Sequence, residues 1–475
     1  MPVLTLARRS RVAVLTVALL TGACASVPNL GPKPVPQTAD SYAASATLAG
    51  APADWPGSDW FARYGDAQLA QLIQEARAGS PDLTAAAARM RTAQAFVQRA
   101  GAALKPQIDA VGRGQVALDS KHSEVPAALI PGGWNDSGMV GIGASLDLDL
   151  WGKNRAALRA AKADAAAARY ELHEADLALT TGIASAYADL AALYARRDSL
   201  ASALEICGKT AALVRQRVEV GLDNQAPLRQ AEALVSQTKA DIEATDEAIQ
   251  LTKNALAALA GAGPDRALSI ARPNLSALST QALPANASID LIGRRPDIAA
   301  AKARVEAAGE RIRVAKADFY PNVNLSALIG FQSFGLDHLF ASSSNFGAVG
   351  PAVSLPLFHG GALEGQYRAT RGQYDEAVAL YDSTVVKALR ETADAVTSQR
   401  MLARRLSESQ SALASYQDAH RLARQRYEHG LATYLDVLSA EQGVVNAQLN
   451  VAQLEARAFS LDVSLVRALG GGFSA

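Results

Sequence analysis

The residue types that do chemistry are sparse in this 475-residue chain, and most of them stand alone. There are six histidines, two cysteines and four methionines. His338, His359, His420 and His429 are scattered without ligand spacing, so no metal site is expected. No nucleophile elbow, phosphate loop or carboxylate pair occurs in a strand–turn–helix setting, and nothing points to an enzyme. Arg294 and Arg295 resemble a site but read better as structural, satisfying helix-end carbonyls or neighbouring acids. Cys24 is different. Arg8, Arg9 and Arg11 precede a short apolar core, Val12 to Leu20, and Thr21-Gly22-Ala23 then lead into the cysteine. This is the pattern of a lipoprotein signal peptide, in which the thiol is acylated and the chain is cut before it. An ordinary secretory signal with a coincidental cysteine is the alternative, since Thr21 stands where lipoproteins usually carry Leu. Ala25 follows the cysteine where an aspartate would resemble an inner-membrane retention signal, which favours delivery to the outer membrane. Cys207 then has no partner, and a lone cysteine inside a helix reads as a small packing residue.

The elements that carry these residues are foreshadowed by composition. Forty-six basic side chains balance 46 acidic ones, which gives no basic footprint for nucleic acid. Removing the signal leaves 43 basic against 46 acidic residues, a formal charge of −3. Alanine is abundant through two long middle stretches, favouring long, closely packed helices. No uninterrupted apolar run reaches the roughly 18 residues of a membrane-spanning helix, so any crossing must be a barrel.

An internal repeat organises the chain. Arg215-Gln-Arg-Val-Glu-Val-Gly-Leu222 recurs as Arg424-Gln-Arg-Tyr-Glu-His-Gly-Leu431, an offset of 209 residues. Pro81-Asp82-Leu83 recurs as Pro296-Asp297-Ile298, and Pro106 as Pro321, both offset by 215. Two anchors in the same order, at close offsets, indicate a tandem duplication of roughly 210 residues. The expected divisions are a signal peptide (1–23), a lipidated linker and equatorial segment (24–80), a first repeat (81–265), an inter-repeat linker (266–295) and a second repeat (296–475).

Each repeat reads alike. A helix opens at Pro81 or Pro296, with proline and aspartate in its first turn, and runs to Lys105 or Tyr320 before a proline. A strand follows, with Ile108, Ala110, Gly112, Gly114, Val116 and Leu118 on one face in the first repeat. In the second, Val323, Leu325, Ala327, Ile329 and Phe331 alternate with Asn322, Asn324, Ser326 and Leu328. Loops rich in Gly, Pro, Ser and Asn are expected at Ala127–Gly138 and Ser333–Asn345. A second strand then sets Val140, Ile142, Ala144, Leu146, Leu148 and Leu150 against Gly141, Gly143, Ser145, Asp147 and Asp149. Its counterpart carries Val349, Val353, Leu355 and Leu357, interrupted by Pro351 and Pro356. Strands of about ten residues with one apolar and one polar face fit a transmembrane barrel, Asp147 and Asp149 facing a wet lumen; a soluble hairpin is the alternative.

A proline-free helix of about Lys153 to Val220, or Leu363 to His429, comes next and would reach roughly 100 Å. Each stops at a glycine, Gly221 or Gly430, and a helix returns over about Pro227–Ala260 or Tyr434–Leu469. Helices of that length must lie against neighbours. One chain offers four strands where a closed barrel needs at least about eight, so closure requires two or three chains.

Together with the duplicated strand–strand–long-helix units and the acylated N-terminus, three segments carry a resemblance. They are Trp60-Phe-Ala-Arg-Tyr-Gly-Asp-Ala-Gln-Leu69, Ile292-Gly-Arg-Arg-Pro-Asp-Ile298 and Tyr434-Leu-Asp-Val-Leu438. The chain resembles the TolC-like outer membrane factors, specifically their lipid-anchored NodT-like branch, over essentially the whole mature sequence. The resemblance implies a mostly α protein with a small β part, its two tandem repeats forming one third of a trimer. Three chains would build a twelve-stranded outer-membrane β-barrel continued by a long periplasmic α-helical barrel. It implies a homotrimer working with a periplasmic adaptor (membrane fusion) protein and an inner-membrane efflux pump in outer-membrane lipid. No cofactor is implied beyond the covalent lipid on Cys24. Conduction would be passive and gated at the periplasmic helix tips, marked by Gly221 and Gly430. Tyr427 matches a tip tyrosine that bridges neighbouring helices, and Asp436 matches an acid that forms a charged ring in the trimer. Asp436 alternatively caps the returning helix. Ser439 replaces a second acid found in many relatives, which weakens the case for a double ring. Two other functions share these features: a duct for type I protein secretion, and a lipid-anchored periplasmic coiled-coil scaffold.

Overall fold

A computed structural model describes residues 27–474, apart from 39–40, 45, 49–52, 121, 123–125, 127, 129–131, 275–282, 285–290 and 292. Cys24, the signal segment and Ile292 therefore lie outside the described residues. The helices are α1 (Ala67–Gly79), α2 (Pro81–Ala102), α3 (Lys153–Glu219), α4 (Gln225–Leu259), α5 (Pro296–Ala317), α6 (Ala362–Glu428) and α7 (Tyr434–Ala468). The strands are β1 (Gln107–Leu118) and β2 (Trp134–Asp147) before α3, and β3 (Asn322–Phe334) and β4 (Asn345–Ser354) before α6. Corresponding helices of the two halves have equal lengths: 22 residues for α2 and α5, 67 for α3 and α6, and 35 for α4 and α7. The chain divides into two compact units, one of Met1–Pro36, Met90–Ala168 and Ala301–Tyr381, the other of Gln37–Arg89, Arg169–Ala300 and Asp382–Ala475.

The first unit holds the antiparallel sheet, in the order β1-β2-β3-β4. Its register pairs Ile108 with Ala144, Ile142 with both Ala110 and Ile329, and Val323 with Val353. Because side chains alternate along a strand, one face collects Ile108, Val116, Val140, Ile142, Leu146, Leu325, Ile329, Val349 and Val353. The other collects Gln107, Asp109, Arg113, Gln115, Ser137, Ser145, Asn324, Ser326 and Gln332. Most of the apolar face is bare among the described residues, Ile108 being 69% exposed, Ile329 60% and Val349 76%, and only at its far end do Leu336 and Leu339 reach Gly138 and Phe340 meet Phe331. The outer sides of β1 and β4 are unpaired among the described residues.

Several boundaries differ from expectation; β4 ends at Ser354, so Leu355 and Leu357 lie beyond it, and β3 runs to Phe334, into the expected loop. β2 begins at Trp134, inside the expected loop, because Asn135 to Ser137 continue the pairing with β1. The short helices end at Ala102 and Ala317 rather than at Lys105 and Tyr320. In the first of them the Gln107 amide donates to the Ala102 carbonyl at 2.8 Å, closing the helix before Pro106. β2 ends at Asp147, so Leu148, Asp149 and Leu150 are not strand residues. Asp149 turns the chain at φ 46°, is 7% exposed, and accepts from the Asn154 and Arg155 backbone N–H groups at 2.8 and 3.0 Å. The Arg155 guanidinium adds a third bond to the same carboxylate at 3.0 Å. Asp149 is thus the cap of α3 and not a lumen charge.

The core of the second unit packs α1 and the preceding turn against α3, α4 and α7. Trp60, Phe61, Tyr64, Leu69, Leu72 and Ile73 meet Ile183, Tyr187, Leu190, Leu256, Phe459 and Val463. One stretch of α3 is long and apolar enough by composition to cross a membrane, yet Ile183, Tyr187 and Leu190 of that helix are buried in this core. Two buried charged residues, Asp462 and Arg295, are paired here. Asp462, 1% exposed, takes the Tyr64 hydroxyl at 2.6 Å and pairs with Arg63. Arg295, 6% exposed, donates to the Ala468 carbonyl at 3.0 Å and pairs with Asp297 and Glu391 at 2.8 and 2.9 Å. That is the structural role its sequence context indicates. Glu174 stands near this cluster, where burial and then the charge of Asp297 push its carboxyl up to about 7.

Candidate functional site: the helix tips

The turns that end α3 and α6 are built alike, as the repeated motif requires. Gly221 (φ 78°) and Gly430 (φ 74°) adopt the left-handed conformation that glycine reaches without steric cost. Leu222 N–H then donates to the Arg217 carbonyl, and Leu431 N–H to that of Arg426, each at 2.8 Å. Gly221 and Gly430 donate to Val218 and Tyr427 at 3.0 Å. This double bond pattern stops a helix and reverses the chain within a few residues. The returning helices are capped separately. The Asn224 side chain accepts from Ala226 N–H at 2.9 Å, while Thr433 and Asp436 form a capping box at the start of α7.

The two tips are tied together by residues that differ between the halves. Tyr427 stands where the first repeat has Val218, and Asp223 where the second has Ala432, at the offset of 209. The Tyr427 hydroxyl donates to Asp223 Oδ2 at 2.5 Å, and Arg217 Nε donates to the same oxygen at 3.0 Å. Arg217 also donates to the Tyr427 carbonyl at 3.1 Å and lies over the Tyr427 ring, 4.4 Å from its centre. One guanidinium therefore grips the α3–α4 turn and the end of α6 at once. Burial, reinforced by Asp223, pushes the Tyr427 hydroxyl well above its ordinary range, so it stays a donor. Beneath this link Val214, Leu228, Tyr427, Tyr434 and Val437 form a small apolar core.

Glu441 of α7 makes a second cross-tie, two turns further along. It is 1% exposed and accepts from the Thr210 hydroxyl of α3 at 2.7 Å. Its other oxygen has no partner, and His420 Nε2, also unpartnered, lies 3.9 Å from the bonded one. Burial, and secondarily Arg424, lowers the His420 pKa from its ordinary value against the opposing pull of Glu441. Cys207 packs beside Glu441, and burial together with that carboxylate pushes its thiol up to about 12.

Of the residues singled out in the sequence, the structure brings Tyr427, Gly221 and Gly430 to adjacent tips. Asp436 does not join the cross-tie. It is exposed, and its Oδ2 accepts from the Thr433 N–H and hydroxyl at 2.8 Å each, contacts that hold its carboxyl below the usual range. Arg217, Asp223 and Glu441 were not singled out. Arg217 belongs to the repeated motif, and Glu441 interrupts the apolar seam of Tyr434, Val437 and Val444, so both left a trace in the sequence.

A four-stranded sheet leading into two long helical hairpins is the fold of the TolC-like outer membrane factors. The crystal structure of the outer membrane protein VceC from Vibrio cholerae superposes with a TM-score of 0.84 at 45% identity, covering 88% of this chain and all of that one. Residues 72–262 and 288–471 match the sequence pattern of the outer membrane efflux proteins, and the chain belongs to that family. It is 38% identical over 370 residues to the fusaric acid resistance protein FusA of Burkholderia cepacia, covering 75% of this chain and 68% of that protein. It is 31% identical to the multidrug resistance outer membrane protein MdtP of Escherichia coli O6:H1, covering 89% and 88%. The protein is a transport protein of the bacterial outer membrane.

Proposed function

We propose that three copies of this chain assemble into a duct that passively conducts small molecules out of the cell. The observation that supports this reading is the sheet: an apolar face that is mostly exposed and two outer strand edges that are unpaired among the described residues. In water both features are liabilities, and in lipid an open edge is forbidden. Pairing β1 of one chain with β4 of the next removes the edges, turns the apolar face to lipid, and gives a barrel of about twelve strands from three chains. Each tandem repeat supplies one strand pair and one long helical hairpin. The hairpins would line a periplasmic conduit that receives cargo from an adaptor protein and an inner-membrane pump. Drug-like molecules are candidate cargoes, a reading supported by the fusaric acid resistance and multidrug resistance proteins among its relatives. Cys24 carries the lipid anchor. The Tyr427–Asp223–Arg217 link holds the tips, and three copies of Asp436 add a ring of negative charge at the mouth while each caps its own α7.

The deciding measurement is the mass of the detergent-extracted mature protein under native conditions. Three chains, each bearing lipid on Cys24, is the expected result. A lipid-free monomer that stays soluble without detergent would overturn the duct in favour of a periplasmic scaffold.

A further inference from the structure

The four strands contain a single Lys or Arg, Arg113 of β1, and its register places it on the polar face of the sheet opposite Met139, which in turn pairs with Gln332. Many arginines of the helical hairpins, Arg155, Arg159, Arg197, Arg215 and Arg217 among them, have an acid beside them. Arg113 has none among the described residues, and it is exposed. It borders a groove of about 470 Å³ whose wall is free of acids. Gln115, Ser137, Gln332, Ser343 and Asn345 offer amide and hydroxyl donors around it. Phe334, Phe346 and Met139 supply an apolar wall in the same groove, and Phe334 is 73% exposed. Asp109, the nearest acid along the same face of β1, is four residues away, or about 13 Å. Asp136 lies on the opposite face and is occupied by the Leu336 N–H at 2.7 Å.

We infer that this groove is a binding site for amphipathic organic anions, with Arg113 taking a carboxylate and Phe334 and Phe346 taking an apolar ring. A guanidinium without an acid partner presents its full fork of donors, which matches a carboxylate in two parallel bonds. Hydroxyl and amide neighbours supply further donors without competing negative charge, and the aromatic wall rewards an apolar body attached to the acid. A bare inorganic anion would use only half of this surface. The inference rests on the duct reading, in which the polar face lines the lumen. There the groove would stand in the outer half of the barrel, since Arg113 is midway along β1 and the groove reaches Ser343 and Ser344 of the β3–β4 connection. Cargo would meet a weak site just before release, one strong enough to favour anions and open enough to let them go.

The test uses the purified full-length trimer in planar bilayers, with 1-naphthoate added as a blocker and the neutral 1-naphthamide as its matched control. In the wild type naphthoate should block the current and naphthamide should not. Arg113→Gln should raise the naphthoate concentration for half-block about tenfold, the usual worth of a hydrogen-bonded charge. Arg113→Lys should fall between, because it restores the sign of the charge but not the fork. The reversal potential in a salt gradient should also move towards cations in Arg113→Gln. Equal block of the wild type and Arg113→Gln, or equal block by naphthamide, overturns the site while leaving the duct intact. A trimer that forms no pores in any variant overturns the duct itself, and this inference with it.

Discussion

Removing the Tyr427 hydroxyl should loosen the tips without disturbing their packing. In Tyr427→Phe the ring still fills the small core with Val214, Leu228 and Tyr434, so the change is confined to one bond. That bond, 2.5 Å to Asp223 Oδ2, has a charged acceptor and is worth about 1.5–3 kcal/mol. The Asp223 and Arg217 side chains keep 20% and 15% exposure, so water can partly replace the hydroxyl and the lower figure applies. About 1.5 kcal/mol shifts each tip roughly tenfold towards its parted state. If three tips part together in a trimer, the losses add to about 4.5 kcal/mol, a shift of roughly a thousandfold. The readout is open probability in planar bilayers, with thermal melting as the check on folding. Asp223→Asn should also open the channel, since it weakens both the tyrosine bond and the Arg217 ion pair. The double variant should open it by less than the product of the two, because both changes act on one network. A Tyr427→Phe channel that opens as rarely as the wild type, with unchanged melting, would show that the link does not hold the tips.

Three further outcomes follow from other sites. Glu174 is held up to about 7 by burial and Asp297, so the folded state keeps a proton that the unfolded chain releases near the ordinary 4.5. Its contribution is therefore present below about 4.5 and lost as pH rises to 7; Glu174→Gln should flatten the melting temperature between pH 5 and 8 and exceed the wild type at pH 8. The Cys207 thiol, pushed up from 9.0 to about 12, should react with maleimide at pH 8 about a thousandfold more slowly than a free thiol, and at the ordinary rate after unfolding. Asp149→Ala should cost about 2–4 kcal/mol by losing the cap and straining a left-handed residue, whereas Asp149→Asn should cost about 1; the two melting curves decide it.

The helices and the faces of the strands were legible because period and punctuation are local properties. The prolines that open the short helices, the two glycines that end the long ones and the alternation in β1 and β3 each depend on residues within one turn or one strand. Alternation misled at Asp149 for the same reason. Leu148, Asp149 and Leu150 continue the two-residue rhythm of β2, and nothing local distinguishes a sixth outward position from a turn. What ends the strand is the start of α3, whose free N–H groups capture the Asp149 carboxylate five and six residues upstream of their own positions. A helix cap can thus overrule a strand pattern when the linker between them is short.

The tip link exposes a different limit. Duplication is detected by what two halves share, and the shared residues at the tips are those that build the turns: Gly221 with Gly430, Leu222 with Leu431. The cross-tie uses what they do not share. Tyr427 needs a hydroxyl where the first half has only Val218, and Asp223 needs a carboxylate where the second has only Ala432. Tyr427 and Asp223 stand at non-equivalent positions of the repeat, and each half carries only one member of the pair, so the tie is made once. A carboxylate on one and a donor on the other makes the pair complementary, and Arg217, common to both copies as Arg217 and Arg426, then bonds across in one and to its own Leu431 turn in the other. Sequence identity between the halves reports the scaffold. Their differences, read at the same offset, report where one hairpin must recognise the other.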